Sequence, residues 1–589
     1  MSGTRPLPQK LESTPPWAVF AGLTLLAGGA AALFLWPAWE ELPMDDAYIH
    51  LVYAQNLVEH GGLFFSAPGE AGIGTSSILW TLLLAGGKVL GLPLTLLAKG
   101  LGILSLATVG VGVYALLRPV WGFGRAIVCA VFVTLSGNML WFALSGMETT
   151  LFLALAVLVL LAYRASRWWL TGGLLGLLTL TRVEGAILLA AIGALEWIRY
   201  RRIGRGLLTA ALVCGLMCAP WFGLLLLRTG HLMPTSGIGK HFTSRIAIQA
   251  VVERSPGLAG LAAIPALVYV VAGLLFMLEF NLGGMSLPGP RLAIVAAADS
   301  PAYPVSVWAI LFWAAAVLPL LWVGGRRLLS ISAWRRWILD RDRRALLVLG
   351  VWAVLHNLAY MIYLPIPGTA SRYGAINHLV LWMLLAAGLF TLARRTRPMV
   401  WFGGAVVVLI VANLVYWNGV YDANLEHMNS VRIAAARYIR DELSPSDVCA
   451  AFDIGAVRYH SRRTIVDLGG LLEPTAQRWL ESGAVDRYLL DRQVTCLVVP
   501  GRRGPADEGW LDLVALAGLT DSDELVMEEA AAFEIEHDRW LQGYLATTNY
   551  QASVVIYRLI PRLAPGEPSQ GCKLAVHAIA SSPLRGSSQ

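Results

Sequence analysis

Charge is what this sequence has least of. Only 14% of its 589 residues are Asp, Glu, Lys or Arg, while 57% are hydrophobic. Soluble domains carry about 25% charged residues, so a water-soluble globular protein is excluded. The net charge of +7 does not point to nucleic acid, because the basic residues cluster in short loops between apolar runs, as cytoplasmic loops of membrane proteins do. Cysteine is also scarce. None of the six (Cys129, Cys214, Cys218, Cys449, Cys496 and Cys572) sits in a CxxC pair matched by a second pair or by histidines, so a zinc site is not expected. The first three lie in apolar runs and read as small hydrophobes. Internal repeats are missing too, which counts against a transporter built from inverted halves. The first apolar run has no small-residue cleavage site behind it, so it reads as a retained span and not a removed signal.

What is present is a series of apolar runs of about 20 residues, each long enough to cross a bilayer. Spans are expected at 17–37, 95–117, 126–144, 149–163, 168–181, 186–198, 206–227, 303–323, 345–364, 375–393 and 399–418. That makes about eleven, with 76–94 and 257–279 as interfacial or re-entrant elements. Arg5 and Lys10 before the first span put the N-terminus in the cytoplasm and the C-terminus outside. The 22 Trp suit membrane–water interfaces. From about 425 the hydropathy falls. "VRIAAARYIRDEL" reads as an amphipathic helix, and "VCAAF", "TIVDL", "TCLVV" and "SVVIYRLI" read as short buried strands. The expected fold is a polytopic α-helical membrane protein with a C-terminal extracytoplasmic α/β domain. The domains are a cytoplasmic tail (1–16), a transmembrane module (17–420) with its first outer loop at 38–94, the α/β domain (425–561) and a loose tail (562–589). The location is the cell membrane. Cys449 and Cys496 either pair or remain buried thiols.

The polar interruptions fall on one face. "MDDAY" follows the first span, and "SGMETT" (145–150), "TRVEG" (181–185), "RTGHLMPTSGIGKH" (228–241) and "PIPGTASRYG" (365–374) all lie on the same outer side. Ionisable groups at membrane depth are costly and mark function. Asp45, Asp46, Glu148, Arg182, Glu184, Lys240 and Arg372 are therefore expected to converge. Each has a plainer reading: a solvated acid pair, a helix-start glutamate, a local Arg182–Glu184 ion pair, a loop lysine, a snorkelling arginine. His50, His231 and His241 read first as surface histidines and only second as metal ligands.

The stretch "DDAYIHLVYAQNLVEHGGLFFSAPGEAGIGTSSILWTLLLA" resembles the first outer loop of type C glycosyltransferases, and within them bacterial proteins similar to actinobacterial terminal arabinofuranosyltransferases. It keeps Asp45, Asp46, Ala47, Tyr48, Ile49, Tyr53, Ala54, Asn56, Pro68, Gly69, Glu70, Thr75, Ser76, Leu79 and Trp80 of that pattern. "SGMETTLF", "LTRVEG", "GHLMPTSGIGK", "SRYG" and "DIGAVRYHSRRTIVDLGGLLEP" follow in the same order. Four departures stand out: Val52 for an Arg, Gly74 for a Tyr, Val183 for a Pro, and "MPTSG" for a PNT-like run. The resemblance implies transfer of a sugar, a pentofuranose among the candidates, from a polyprenyl-phosphate donor to a cell-envelope glycan, lipid or protein hydroxyl. In that chemistry Asp45 or Asp46 is the general base and Lys240, Arg372 and Arg182 neutralise the donor phosphate. Glu148, Glu184, Tyr48, Tyr53, Asn56, Glu70, Tyr373 and His231 bind or orient substrate. No cofactor is assigned, and a divalent cation held by Asp45 and Asp46 stays open. Two other readings stay open: a lipid-linked-sugar flippase, and an inactive glycan-binding scaffold.

Overall fold

The computed structural model describes residues 16–35, 39–70, 72–242, 291–293, 304–306, 331–364, 368–393, 399–501, 517–520, 522–535 and 553–562, with a few isolated positions besides. The expected elements at 1–15, 257–279, 394–397 and 563–589, most of the polar stretch after 242, and nearly all of the expected span at 303–323 lie outside these residues.

The described part of the membrane module is helical apart from one short pair of strands. α1 (Pro16–Leu35) is 20 residues with no charge, about 30 Å long and so matched to a bilayer core. α2 (Asp45–His60) begins with two acids in its first turn, where the helix dipole favours them, and stops at Gly61 in the left-handed region (φ 67°). α3 (Ile78–Val89) starts at Ser77, whose side chain caps it by accepting from the Trp80 N–H, and ends after only 12 residues. It is too short to span and packs on α2. α4 (Leu94–Trp121) follows with 28 residues.

The single span expected at 126–144 is broken. α5 (Phe123–Leu135) and α6 (Gly137–Leu144) meet at 53°. Asn413 Oδ1 accepts the Gly137 N–H at 2.7 Å, so the backbone group freed by the break is satisfied in an apolar setting where loss would be expensive. α6 then lies tight on α4, because a side chain at Gly102 would run into the Ala143 carbonyl. α7 (Thr149–Arg164), α8 (Trp168–Thr181) and α9 (Ala186–Tyr200) follow, the last two joined through a 3-10 turn at Val183–Gly185. α10 (Arg205–Thr229) is 25 residues. After β1 (Arg291–Ala293) and β2 (Pro304–Ser306) come α11 (Ile331–Leu339), α12 (Arg341–Tyr363), α13 (Ala375–Ala393) and α14 (Met399–His427). Among the described residues five helical stretches are long and apolar enough to cross a membrane, or six if α5 and α6 count as one.

α14 does not stop at the membrane. It passes through a π-helical turn at Met428–Ile433 into α15 (Ala434–Asp441) and so carries the chain into the C-terminal domain as one rod. There β3 (Cys449–Ala451), α16 (Gly455–Ser461), β4 (Ile465–Asp467), α17 (Pro474–Ser482), α18 (Val485–Asp491), β5 (Cys496–Gly501), β6 (Leu525–Glu534) and β7 (Ser553–Pro561) build a mixed sheet in the order β4-β3-β5-β7-β6. β3 runs parallel to β4 and β5, while β7 is antiparallel to β5 and β6. All four strands read from the sequence form. β6 is additional. It lies at the sheet edge, carries Glu528, Glu529 and Glu534, and bulges at Glu529/Ala531, the features that keep an open edge from pairing with another chain. Cys449 and Cys496 face each other in register on β3 and β5 and form a disulfide with Cα atoms 4.4 Å apart.

α2 is enclosed by its neighbours: Ala47, Tyr48, Leu51, Val52, Tyr53 and Ala54 are all buried. α3 packs on one side of it, and α16 of the C-terminal domain covers another.

Candidate active site

α2 repeats every 3.6 residues, so Asp46 and His50, one turn apart, share a face, and Asp45 lies about 100° away from it. That phase separates the two acids. Asp46 opens onto a cavity of about 330 Å³. Its Oδ2 receives the Lys240 ammonium at 2.7 Å and the Arg372 guanidinium. Both cations also donate to the Tyr373 hydroxyl, at 3.2 and 3.3 Å. Burial alone would push the Asp46 carboxyl up, but Lys240 and Arg372 overcome it and hold the group far below the usual carboxylate range.

Arg372 and Tyr373 reach the cavity because the chain is contorted before them. Gly368, Ala370 and Ser371 have φ of 69°, 55° and 56°. For the two non-glycine residues that costs about 1–2 kcal/mol each, and strain of this kind persists where it positions something. Lys240 arrives on the helical segment 235–242, and Gly239 in that segment lies against the Gly470 carbonyl of the C-terminal domain.

A second polar group lies beside the first, with the Arg182 guanidinium 5.1 Å over the Tyr373 ring. Arg182 donates to Glu184 at 2.6 Å, to Glu148 at 3.1 Å and to the Tyr360 hydroxyl at 3.1 Å. Tyr360 in turn donates to Glu184 at 2.7 Å. Arg182 is thus held by two carboxylates, whereas Lys240 and Arg372 share one. His50 sits between the two groups, 3.6 Å from Glu148. Most of the remaining wall is apolar, with Ile49, Met147, Ile187, Met233, Leu364 and Leu471, and Ser76, Ser236 and Tyr363 also line it.

The structure therefore brings Asp46, Glu148, Arg182, Glu184, Lys240, Arg372 and Tyr373 to one cavity. It places Asp45 elsewhere. The Asp45 carboxylate accepts the Gly455 and Ala456 N–H groups at 2.9 and 2.8 Å, at the start of α16. Arg432 lies 3.9 Å away and pairs with Asp453 at 2.7 Å. Burial raises the Asp45 carboxyl to about 6, Arg432 pulling it down and Asp453 pushing it up. With their carboxylates given to separate partners, Asp45 and Asp46 do not converge on a cation. Among the described residues no three His, Cys, Asp or Glu side chains form a metal set. Asp46, already neutralised by two cations, is a poor match for a divalent ion.

The other candidates shape the loop and leave the cavity to their neighbours. The Tyr48 hydroxyl accepts the Leu42 N–H, and the Tyr53 hydroxyl accepts the Gly74 N–H at 2.7 Å. Asn56 donates to the Phe64 and Phe65 carbonyls. Glu70 accepts the N–H groups of Phe65, Ser66 and Ala67. His231 lies in the exposed turn after α10. The departures find physical reasons. Val52 is buried in an apolar cluster with Ile49 and Tyr53, and a side chain at Gly74 would meet Leu472 at 2.4 Å. His50, expected at the surface, is only 3% exposed. Its position four residues after Asp46 was the signal available for it. Tyr360, Ser236 and Leu471 had none.

The fold and the cavity together define a class: a multi-pass helical membrane protein of the type C glycosyltransferase fold with a C-terminal α/β domain. The likeness is to solved structures. ArnT from Cupriavidus metallidurans in the apo state superposes with a TM-score of 0.50 at 15% identity, covering 92% of this chain and 98% of that one. The oligosaccharyltransferase of Archaeoglobus fulgidus superposes with a TM-score of 0.51 in its apo form, at 13% identity over 83% of this chain and 70% of that one. Tethered to an acceptor peptide containing the NVT sequon, it gives 0.51 at 12% identity over the same shares. Residues 419–557 match a family described as a domain of unknown function (DUF8728). No curated protein matches the sequence.

Proposed function

We propose that this chain transfers a sugar from a polyprenyl-phosphate donor to a hydroxyl of a cell-envelope glycan, lipid or protein at the extracytoplasmic membrane face, with Asp46 as general base. The observation that carries this is the pairing of Asp46 with both Lys240 and Arg372 on the wall of a largely apolar cavity. Two cations on one carboxylate are a ready site for a better anion. The donor phosphodiester carries one negative charge, as Asp46 does, and gains a second as the sugar leaves, and Arg372 can meet it with two parallel N–H bonds. As the phosphate takes the cations, Asp46 loses the partners that suppress its proton affinity. It becomes a base within reach of the anomeric carbon.

The acceptor hydroxyl then attacks that carbon and gives its proton to Asp46. The bond from carbon to phosphate oxygen breaks, and its electron pair stays on the phosphate between Lys240 and Arg372. Negative charge near the ring stabilises the oxocarbenium-like transition state. A single displacement inverts the anomeric centre. The apolar wall suits the first isoprene units of the lipid, and the shared fold with an oligosaccharyltransferase supports the reaction class. The sequence resemblance supports a pentofuranose donor. The test is incorporation of labelled sugar from a polyprenyl-phosphate donor into acceptor glycan by the purified protein in proteoliposomes. Transfer that survives Asp46→Asn undiminished, or lipid-sugar crossing without any transfer product, would overturn the reading.

A further inference from the structure

Once the lipid phosphate has left, Lys240 and Arg372 return to Asp46, and a protonated Asp46 cannot receive them. Each turnover must therefore move that proton elsewhere. We propose that His50, backed by Glu148, is the group that takes it. The proposal rests on the transferase reading and adds two residues to its proton path.

The geometry is set by a hydrogen-bond chain. The Thr81 hydroxyl donates to the Ser77 carbonyl at 3.0 Å, and a carbonyl can only accept. The Thr75 hydroxyl, 2.9 Å from Thr81 Oγ1 and 3.4 Å from the same Ser77 carbonyl, then spends its one hydrogen on that side. Thr75 is left to accept at 3.0 Å from His50 Nδ1. With Thr81 donating to Ser77, the tautomer assigned to His50 carries its hydrogen on Nδ1 and presents the Nε2 lone pair. That lone pair faces Glu148 Oε2 at 3.6 Å, too far and of the wrong sign for a hydrogen bond. Glu148 is 1% exposed, and its Oε2 has no donor, while its Oε1 is taken by Arg182. A buried carboxylate oxygen without a donor is unfavourable unless a proton is due there. A proton on Nε2 turns the contact into a charge-assisted hydrogen bond.

Asp46 and His50 stand one turn apart on α2, with Cβ atoms about 6 Å apart, and both line the cavity. In transfer the proton passes from the acceptor oxygen to Asp46, then from Asp46 to Nε2, giving an imidazolium balanced by Glu148 and an ionised Asp46 for Lys240 and Arg372. Release of the proton to water restores the start. Burial holds the imidazole below its usual range, Glu148 and Asp46 pulling it up and Arg372 and Lys240 pushing it down. His50 is therefore neutral and able to accept.

The experiment is the pH–rate profile of sugar transfer by the full-length protein in proteoliposomes. Transfer needs neutral His50, so the rate falls as pH drops through its pKa. In His50→Gln that acid limb is expected to vanish, with turnover lower by on the order of 10²-fold. Binding of a polyprenyl phosphate should be unchanged, which also reports that the variant is folded. In Glu148→Gln the imidazolium loses its counter-ion, and the limb moves to lower pH. Free imidazole should restore part of the rate of His50→Ala. An acid limb of wild-type shape and position in His50→Gln or Glu148→Gln overturns the relay, while loss of transfer in Asp46→Asn leaves the reaction class standing. A wild-type protein that transfers nothing removes both.

Discussion

Asp45 and Asp46 are the same residue type, adjacent on one helix, and they do opposite things. The Asp45 side of α2 is a joint. Its carboxylate ends on two backbone N–H groups of α16, among groups that serve the docking of the C-terminal domain. The Asp46 side opens on the cavity, where the carboxylate meets Lys240 and Arg372. Burial dominates at Asp45 and raises its pKa to about 6. At Asp46 the cations win, and the carboxyl is driven down. A shift of one residue, about 100° of helix, decides between the domain joint and the cavity.

The comparison can be broken most sharply by exchanging the two acids for Asn. Asp46→Asn is expected to cut transfer by about 10²- to 10⁴-fold with little change in thermal unfolding. Asp45→Asn should keep transfer within severalfold and weaken the joint, read as faster proteolysis of the C-terminal domain. Equal loss of turnover from both, with folding intact, would erase the distinction. Next in size, Lys240→Ala and Arg372→Ala each remove a charged hydrogen bond and should weaken donor binding by about 10- to 100-fold. Titration with a polyprenyl phosphate checks this. On the joint side, Cys449→Ser with Cys496→Ser opens a loop of 47 residues. It should cost the C-terminal domain about 4 kcal/mol on the loop-closure estimate, visible in the denaturant needed to expose it.

The smallest effect is one of pH. Asp45 is raised from 3.8 to about 6 and Asp467 from 3.8 to about 7, both chiefly by burial. A raised carboxyl favours the folded state while protonated. Their contribution is therefore complete below about pH 4 and is lost as pH climbs through 6 and then 7. Asp45→Asn and Asp467→Asn should each flatten one part of the melting-temperature profile. Asp46→Asn should not.

Hydropathy made most of the membrane helices legible, since a span is a local property of about 20 residues. The gathering of Glu148, Arg182, Glu184, Lys240 and Arg372 was legible as well, because topology alone puts five distant loops on one face. What stayed hidden depends on rotation and on partners far along the chain. Nothing within "MDDAYIHLVYAQN" says that Gly455 will arrive beside Asp45, or that His50 will be roofed over. The break at Ser136–Gly137 is written partly in Asn413, nearly 300 residues away. β6 escaped because Glu528, Glu529 and three successive alanines do not alternate like a half-buried strand, and only its edge position explains them.

The contact of Gly470, Leu471 and Leu472 with the loop that carries Gly72 and Gly74, and with the segment that carries Gly239 and Lys240, bears on the birth of the protein. Leu472 comes so close that any side chain at Gly72 would overlap its carbonyl. The cavity wall is therefore closed by a segment synthesised some 400 residues after α2. Until the C-terminal domain is made and folds onto that loop, Asp46, Lys240 and Arg372 stand at a cavity that lacks part of its wall.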